Sequence, residues 1–225
     1  AELETLSEDA FAAELVGKAR CKAELQRELS LPVRPKTPLL LTISRLTDQK
    51  GIDLLISWLE SELHSRSEFQ FALLGQGQPA FEQRLRMLAE RHPTRIALRL
   101  TFDEGLAHRM EAGGDFFVMP SRFEPCGLNQ IYSMRYGTIP IVRSVGGLFD
   151  TVVDFDARSR SGTGFTFQPF ETAALGNAIR RALAAYHSDE PSMLALQKRA
   201  MRADFGWSTS ARAYLNVYRQ AQSGK

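Results

Sequence analysis

The fold of this chain is decided by an apolar run and the turn after it, Asp115-Phe116-Phe117-Val118-Met119-Pro120-Ser121-Arg122-Phe123-Glu124-Pro125-Cys126-Gly127-Leu128. The apolar run at 115–119 predicts a buried strand, and residues 129–136 after the turn predict a helix. Glu124 therefore lies between the carboxyl end of a strand and the amino end of a helix. Open parallel α/β sheets bind their ligands at that edge, where helix amino ends offer unpaired N–H groups to anions.

The alternation of strand and helix continues on both sides of this turn. Further apolar runs at 39–44, 69–74, 95–101 and 138–143 predict four more strands, separated by segments with helical spacing. This order predicts an α/β fold, a Rossmann-like parallel sheet with helices on both faces.

Two boundaries divide the chain. A stretch with two prolines, Leu31-Pro32-Val33-Arg34-Pro35-Lys36, disfavours helix and separates a charged helical segment from the first strand. We interpret residues 1–36 as a linker or amino-terminal extension, 37–205 as the Rossmann-like domain and 206–225 as a C-terminal helix. The chain begins without Met, so we expect truncation or processing at that end.

Composition argues against several classes of protein. A hydrophobic content of 44% supports a folded core, and the net charge is +2 with no long run of one sign, which argues against a nucleic-acid binder. No apolar stretch reaches the roughly 18 residues of a membrane span. Cys21 and Cys126 match no metal-ligand spacing, and no clustered carboxylates suit Mg²⁺. We expect no metal and no cofactor.

The loop after the first predicted strand, Ser44-Arg45-Leu46-Thr47-Asp48-Gln49-Lys50-Gly51, carries two cations. The forked guanidinium of Arg45 suits two phosphate oxygens, and the ammonium of Lys50 adds a point charge beside a helix start. The pattern favours a diphosphate site, with an ordinary solvated loop as the alternative.

Three further turns are weaker candidates. Gly75-Gln76-Gly77 allows a close backbone approach but lacks the third glycine of the dinucleotide fingerprint, so it is also compatible with an ordinary turn. Phe102, after the third strand, either stacks on a nucleobase or belongs to the core. Gly146-Gly147 opens a helix, where backbone N–H groups reach phosphate oxygens.

Glu124 is the carboxylate best placed for chemistry. It either accepts hydrogen bonds from sugar hydroxyls, acts as an acid or base, or only stabilises a helix dipole. A double-displacement hydrolase needs two close carboxylates, and one is visible here. We interpret Cys126 as a small buried hydrophobe.

Five ordered segments resemble the glycogen and starch synthases, retaining glycosyltransferases that use nucleotide sugars. The segments are Ser44 to Gly51, Gly75 to Gly77, Pro120 to Leu128, Ser144 to Leu148 and the Trp207-Ser208 helix start. The resemblance implies the C-terminal, donor-binding domain of a GT-B enzyme. Such an enzyme transfers glucose from ADP-glucose, or UDP-glucose, to the non-reducing end of an α-1,4-glucan.

The resemblance also implies roles for individual residues. Arg45 and Lys50 would contact the diphosphate and Glu124 the transferred sugar, and we group these three as catalytic. The implied substrate-binding residues are Phe102, Cys126, Gly127, Leu128, Val145, Gly146, Gly147, Leu148, Gly75 and Gly77. Val145 stands where the family usually has Thr, so the side-chain hydroxyl contact at this position is absent. Main-chain contacts with the distal phosphate from 146–148 would remain.

No segment matches the amino-terminal domain of that family, which supplies the glucan acceptor site and a catalytic histidine. We expect the 206–225 helix to pack back toward that domain, and the isolated chain to bind nucleotide weakly and lack synthase activity. The resemblance implies a bacterial cytoplasmic protein, or a plastid stromal one if the source is a plant. Two alternatives stay open: a stand-alone nucleotide or sugar-phosphate binding module, and a related glycosyltransferase with another acceptor.

Overall fold

A computed structural model describes residues 8–65, 67–188 and 190–223 of the chain. The strands are β1 (Leu39–Ile43), β2 (Gln70–Leu74), β3 (Ile96–Arg99), β4 (Phe116–Met119), β5 (Ile139–Arg143) and β6 (Phe165–Phe167). The helices are α1 (Glu8–Glu28), α2 (Ile52–Glu62), α3 (Pro79–Arg91), α4 (Glu104–Gly113), α5 (Asn129–Arg135), α6 (Gly147–Thr151), α7 (Thr172–Ser188), α8 (Glu190–Arg202) and α9 (Trp207–Ser223).

The strands form one parallel sheet in the order β3-β2-β1-β4-β5-β6. Side chains of β1, β2 and β4 are buried nearly throughout, as both faces of such a sheet are covered. Helices α2, α3 and α7 pack together, as do α1, α4 and α5. Right-handed crossovers place these two groups on opposite faces, because the chain winds in opposite directions from β1 and from β4. The predicted α/β fold is confirmed.

The strand order reverses between β1 and β4, which pair through Leu40↔Phe116 and Leu41↔Phe117. Loops leaving two neighbouring strands in opposite directions open a crevice at their carboxyl ends, the topological switch point. The turn that contains Glu124 follows β4, so this turn lies at that crevice.

The sixth strand, β6, was not expected from the sequence. Phe165–Phe167 pairs with β5 alone, at the edge of the sheet. Three residues are too few for a period-2 pattern to be recognised, so only the pairing partner identifies this strand.

Helix α1 is part of the domain, which corrects the interpretation of residues 1–36 as a linker or extension. Leu25, Leu29 and Leu31 are buried in the core. Lys22 forms a 2.6 Å ion pair with Asp115, at the start of β4, and both side chains are nearly buried. The proline-containing stretch 31–36 ends the helix, but Leu31 within it still packs in the core. Residues 1–7 lie outside the described residues.

Helix α9 leaves an apolar face exposed. Its large side chains in solvent are Trp207, Tyr214, Leu215, Val217 and Tyr218, with Trp207 88% exposed. Of the predicted C-terminal segment, residues 224 and 225 lie outside the described residues. No helix in the described ranges has the length and apolar character needed to cross a membrane.

Candidate active site

Two adjoining cavities lie at the carboxyl edge of the sheet. The switch-point cavity, about 290 Å³, lies between the ends of β1 and β4 and is lined by Lys50 and Glu124. The outer cavity, about 680 Å³, lies beyond the ends of β1 to β3 and is lined by Arg45 and Phe102. Ile43, Ser44 and Asn129 line both cavities. A ligand longer than either cavity would therefore extend from one into the other.

Lys50 and Glu124 form an ion pair in the switch-point cavity. The Nζ of Lys50 lies 2.5 Å from Oε2 of Glu124, and the two side chains are 19% and 7% exposed. The hydroxyl of Ser121 donates a 3.4 Å hydrogen bond to the same carboxylate oxygen. The cavity therefore holds a positive and a negative group in contact, one from each side of the switch point.

Gly51 sets the position of Lys50. A short 3-10 turn, Asp48–Lys50, ends at Gly51, whose φ of 68° is left-handed. A Cβ at this residue would collide with the carbonyl of Pro120 in the turn after β4. Only glycine permits this approach, which brings the loop after β1 against the loop after β4.

Arg45 lies in the outer cavity, apart from Lys50. Its side chain is exposed, and within the described ranges it forms no ion pair. Its guanidinium is therefore available to an anion from solution. The structure places the two predicted cations in neighbouring cavities, where one ligand spanning both would meet each of them.

Phe102 forms part of the outer cavity and is not a core residue. Its side chain is 83% exposed, so one ring face is open to a planar group. Gly75 lines the same cavity, with a φ of 152° that holds its backbone against the carbonyl of Ser44. Gly77 lines neither cavity but approaches Leu46 closely, which joins the loops after β1 and β2.

The turn after Glu124 corrects the interpretation of Cys126. This residue is exposed rather than buried, and it lines neither of the two cavities. Gly127 and Leu128 line the switch-point cavity. The amide of Gln130 donates to the carbonyls of Cys126 and Gly127 and holds the turn in place.

The segment Val145 to Leu148 supports this turn and lines neither of the two cavities. The N–H of Gly147 donates a 2.9 Å hydrogen bond to the carbonyl of Glu124, and that of Leu148 donates to Val145. Both amides therefore already have acceptors. In this conformation the main-chain phosphate contact predicted for 146–148 would fall to Gly146, whose φ is 49°.

Helix α4 supplies site residues that no sequence motif identified. Glu104, Ala107, His108 and Glu111 line the outer cavity. Their spacing of three and four residues is the signal that places them on one helical face. Tyr132 on α5 lines the same cavity, and the amide nitrogen of Asn129 donates a 2.8 Å hydrogen bond to the carbonyl of Ile43.

Glu111 is the most unusual of these residues. It is 3% exposed, and its Oε2 atom has no hydrogen-bond partner in the described part of the chain. Burial raises the pKa of the Glu111 carboxyl from its ordinary value near 4.5 to about 7. The Nδ1 of His108 lies 3.7 Å from the same oxygen, beyond normal hydrogen-bond distance. Within the described residues, no group of three or more His, Cys, Asp or Glu side chains is arranged to hold a metal ion.

The arrangement fits a ligand with an anionic centre and two different ends. Arg45 and Lys50 can bind phosphate oxygens, and Glu124 can accept hydrogen bonds from hydroxyl groups. Phe102 offers a surface on which an aromatic base can stack. These are the functional groups of a nucleotide sugar.

Comparisons with known proteins agree with this geometry. The family model described as Glycosyl transferases group 1 matches residues 27–201. A glycogen synthase from Anaeromyxobacter sp. (strain Fw109-5) is 57% identical over 208 residues, which are 92% of this chain and 43% of that protein.

Two solved structures extend the comparison. The catalytic domain of starch synthase IV from Arabidopsis thaliana matches with a TM-score of 0.81 and 36% identity, covering 92% of this chain and 43% of that one. A sucrose-phosphate synthase from Thermosynechococcus elongatus matches with a TM-score of 0.63 and 26% identity, covering 92% and 51%.

The chain spans less than half the length of the glycogen synthase that it matches. The resemblance to glycogen and starch synthases, drawn from short motifs, is confirmed by similarity along almost the whole chain. The family match, the parallel sheet and the paired cavities at its switch point agree: this chain belongs to the family of group 1 glycosyl transferases.

Proposed function

We propose that this chain is the donor-binding domain of a glycogen or starch synthase. The complete enzyme would transfer glucose from ADP-glucose, or less readily UDP-glucose, to the non-reducing end of an α-1,4-glucan with retention of configuration. The observation that carries the proposal is the Lys50–Glu124 pair in the switch-point cavity, next to an outer cavity with a free guanidinium and an exposed aromatic ring.

In this proposal the donor extends across both cavities. The nucleoside occupies the outer cavity with its base on Phe102, and the diphosphate lies between Arg45 and Lys50. The glucosyl group occupies the switch-point cavity, where Glu124 accepts hydrogen bonds from its hydroxyls. Gly127 and Leu128, which line the switch-point cavity, approach the sugar. Cys126 and Gly146 line neither cavity, so a main-chain contact of Cys126 with the sugar and of Gly146 with the distal phosphate would require the turn to shift when the donor binds.

Lys50 has two partners in turn. In the ligand-free protein it neutralises Glu124 at 2.5 Å. A diphosphate carries more negative charge than one carboxylate, so it draws the ammonium away and leaves Glu124 free to bind the sugar. As the bond to the sugar breaks, negative charge develops on the departing diphosphate, and the two cations stabilise it. The chain's two cations thus supply charge neutralisation at the leaving group.

The relatives supply support for the nucleotide and the acceptor. The similar starch synthase IV is described as bound to ADP and acarbose, and two bacterial relatives with 57% and 52% identity are glycogen synthases. We therefore favour an adenine nucleotide over a uridine nucleotide as the donor. A cytoplasmic location in a bacterium is consistent with these relatives.

We propose further that α9 packs against a second domain of the complete protein. Five large apolar side chains of this helix are exposed, which is unusual for a surface that stays in water. Group transfer needs donor and acceptor held in one geometry, and one side of a cleft does not provide it. We expect the 225-residue chain to transfer no glucose to glycogen. A measurable transfer rate with labelled ADP-glucose would contradict this expectation.

The donor site is tested by calorimetric titration of ADP into the 225-residue chain. Arg45→Ala and Lys50→Met should each weaken binding by about tenfold, because each removes a charge-assisted hydrogen bond. Arg27→Ala is the matched control: it removes an equal charge from an exposed pair with Glu24 on α1 and should leave ADP binding unchanged. Unchanged ADP affinity in both Arg45→Ala and Lys50→Met would overturn the proposed function.

A further inference from the structure

Part of the wall of the outer cavity is acidic. Asp103, Glu104 and Glu111 all line it. The Asp103 carboxylate caps α4 by accepting a hydrogen bond from the N–H of Leu106, so it is already engaged. A wall with three carboxyl groups repels phosphate and favours ligand groups that donate hydrogen bonds. This orients a nucleotide in the cavity, with its phosphates near Arg45 and its nucleoside near α4.

Glu111 differs from the other two acidic residues because it is buried and its Oε2 atom accepts no hydrogen bond from the described residues, with the Nδ1 of His108 3.7 Å away. Its Oε2 atom has neither solvent contact nor a hydrogen-bond partner within the described ranges. Proteins rarely keep a buried acceptor in this condition, because the lost hydration is not replaced. A missing hydrogen-bond donor from a ligand is a physical explanation, and the residue forms part of the wall of the cavity where a ligand would lie.

We propose that Glu111 selects the nucleobase, its carboxyl turning toward the outer cavity to accept a hydrogen bond from the exocyclic amino group of adenine. The inference rests on the proposed function and adds the choice of base to it. Phe102, on the same cavity, stacks on any base and so supplies affinity without selection. Uracil carries a carbonyl oxygen in place of the amino group. This oxygen is also a hydrogen-bond acceptor, so the ionised carboxylate of Glu111 repels it.

Both protonation states of Glu111 suit adenine. With a pKa of about 7, the carboxyl is present in both forms near neutral pH. The ionised form accepts from the amino group, and the neutral form accepts from it while donating to the adjacent ring nitrogen. The neutral form can also donate to a carbonyl oxygen of uracil while accepting from the adjacent ring N–H, so selection for adenine belongs to the ionised form.

The test compares ADP with purine riboside diphosphate, an analogue that lacks only the amino group. Calorimetry on the 225-residue chain should give about tenfold weaker binding of the analogue, the value of one good hydrogen bond. Glu111→Met, which keeps length but removes the acceptor, should bind both ligands equally. Glu111→Gln, which keeps an acceptor oxygen, should restore the preference for ADP. The comparison of ADP with purine riboside diphosphate uses the wild-type chain, so it does not depend on the folding of a variant.

Glu104→Gln controls for the loss of a negative charge from the cavity wall, because Glu104 is exposed and lies on the same face of α4 as Glu111. It should change the affinities for ADP and the analogue by the same factor. Equal binding of the two ligands to the wild type, or an unchanged preference in Glu111→Met, would overturn the inference while leaving the proposed function intact. A wild-type chain that binds neither ligand would instead overturn the proposed function, and this inference with it.

Discussion

The ammonium of Lys50 lies 2.5 Å from a carboxylate oxygen of Glu124, joining the loop after β1 to the turn after β4. The two residues are 74 positions apart in the chain and meet because their strands are neighbours at the switch point. The contact joins two loops of the crevice in the absence of a ligand, and it keeps both groups where the proposed donor needs them.

Replacing one residue of the Lys50–Glu124 pair should destabilise the domain more than replacing both residues. Lys50→Met should cost about 1–3 kcal/mol, because it leaves a nearly buried carboxylate without its cation. Glu124→Gln should cost less, and the double variant less than the sum of the two. Urea unfolding of the four proteins measures the coupling energy. A coupling below about 0.3 kcal/mol would show that the pair contributes no stability.

Gly51→Ala should be strongly destabilising, by about 2 kcal/mol or more, because the new methyl group meets the carbonyl of Pro120 at a left-handed residue. Gly17→Ala is the matched control: Gly17 is inside α1 with no atom near its Cβ position, so alanine should stabilise by about 0.5–1 kcal/mol. Thermal unfolding measures both changes. Equal melting temperatures for the two variants would contradict the proposed close approach.

Lys22→Met tests whether α1 belongs to the domain. The substitution leaves the nearly buried carboxylate of Asp115 without its 2.6 Å partner and should cost about 3–5 kcal/mol. Arg27→Met, on the same helix, breaks an exposed pair and should cost less than about 1 kcal/mol. Urea unfolding followed by circular dichroism distinguishes them. A small effect of Lys22→Met would restore the interpretation of this segment as an extension.

Glu111 should make stability fall as pH rises from about 5 to about 7. Because burial raises its pKa from 4.5 to about 7, the folded state holds a proton that the unfolded state loses over this range. Glu111→Gln removes this dependence, so its stability relative to wild type should increase by about 2–3 kcal/mol across the window. Urea unfolding at several pH values measures the difference. Parallel curves for the two proteins would contradict the raised pKa.

Local patterns were sufficient for most of the secondary structure. The apolar runs at 39–44, 69–74, 115–119 and 138–143 became β1, β2, β4 and β5 with end shifts of one residue. These strands are buried on both faces, so their hydrophobicity is continuous and easily recognised. The three-residue β6 had no such pattern, and it is a strand only because β5 lies beside it.

The candidate site was predictable where its residues follow strands and not where they lie on helices. Arg45, Lys50, Phe102 and Glu124 occur in loops with recognisable motifs, and each lines one of the two cavities. Glu111 follows no motif and lies near the end of α4. Its importance comes from burial without a partner, which depends on what the rest of the chain places around it.

The sequence by itself determined the alternation of strands and helices, the charged loops and the family of the chain. Each of these can be recognised in short contiguous segments. Tertiary structure alone decided which of these segments meet. It placed Lys50 against Glu124, buried Glu111 in a cavity wall, exposed Cys126 and packed α1 into the core. Such contacts join residues far apart in the chain, so their energies depend on the order of strands in the sheet, which no local pattern records.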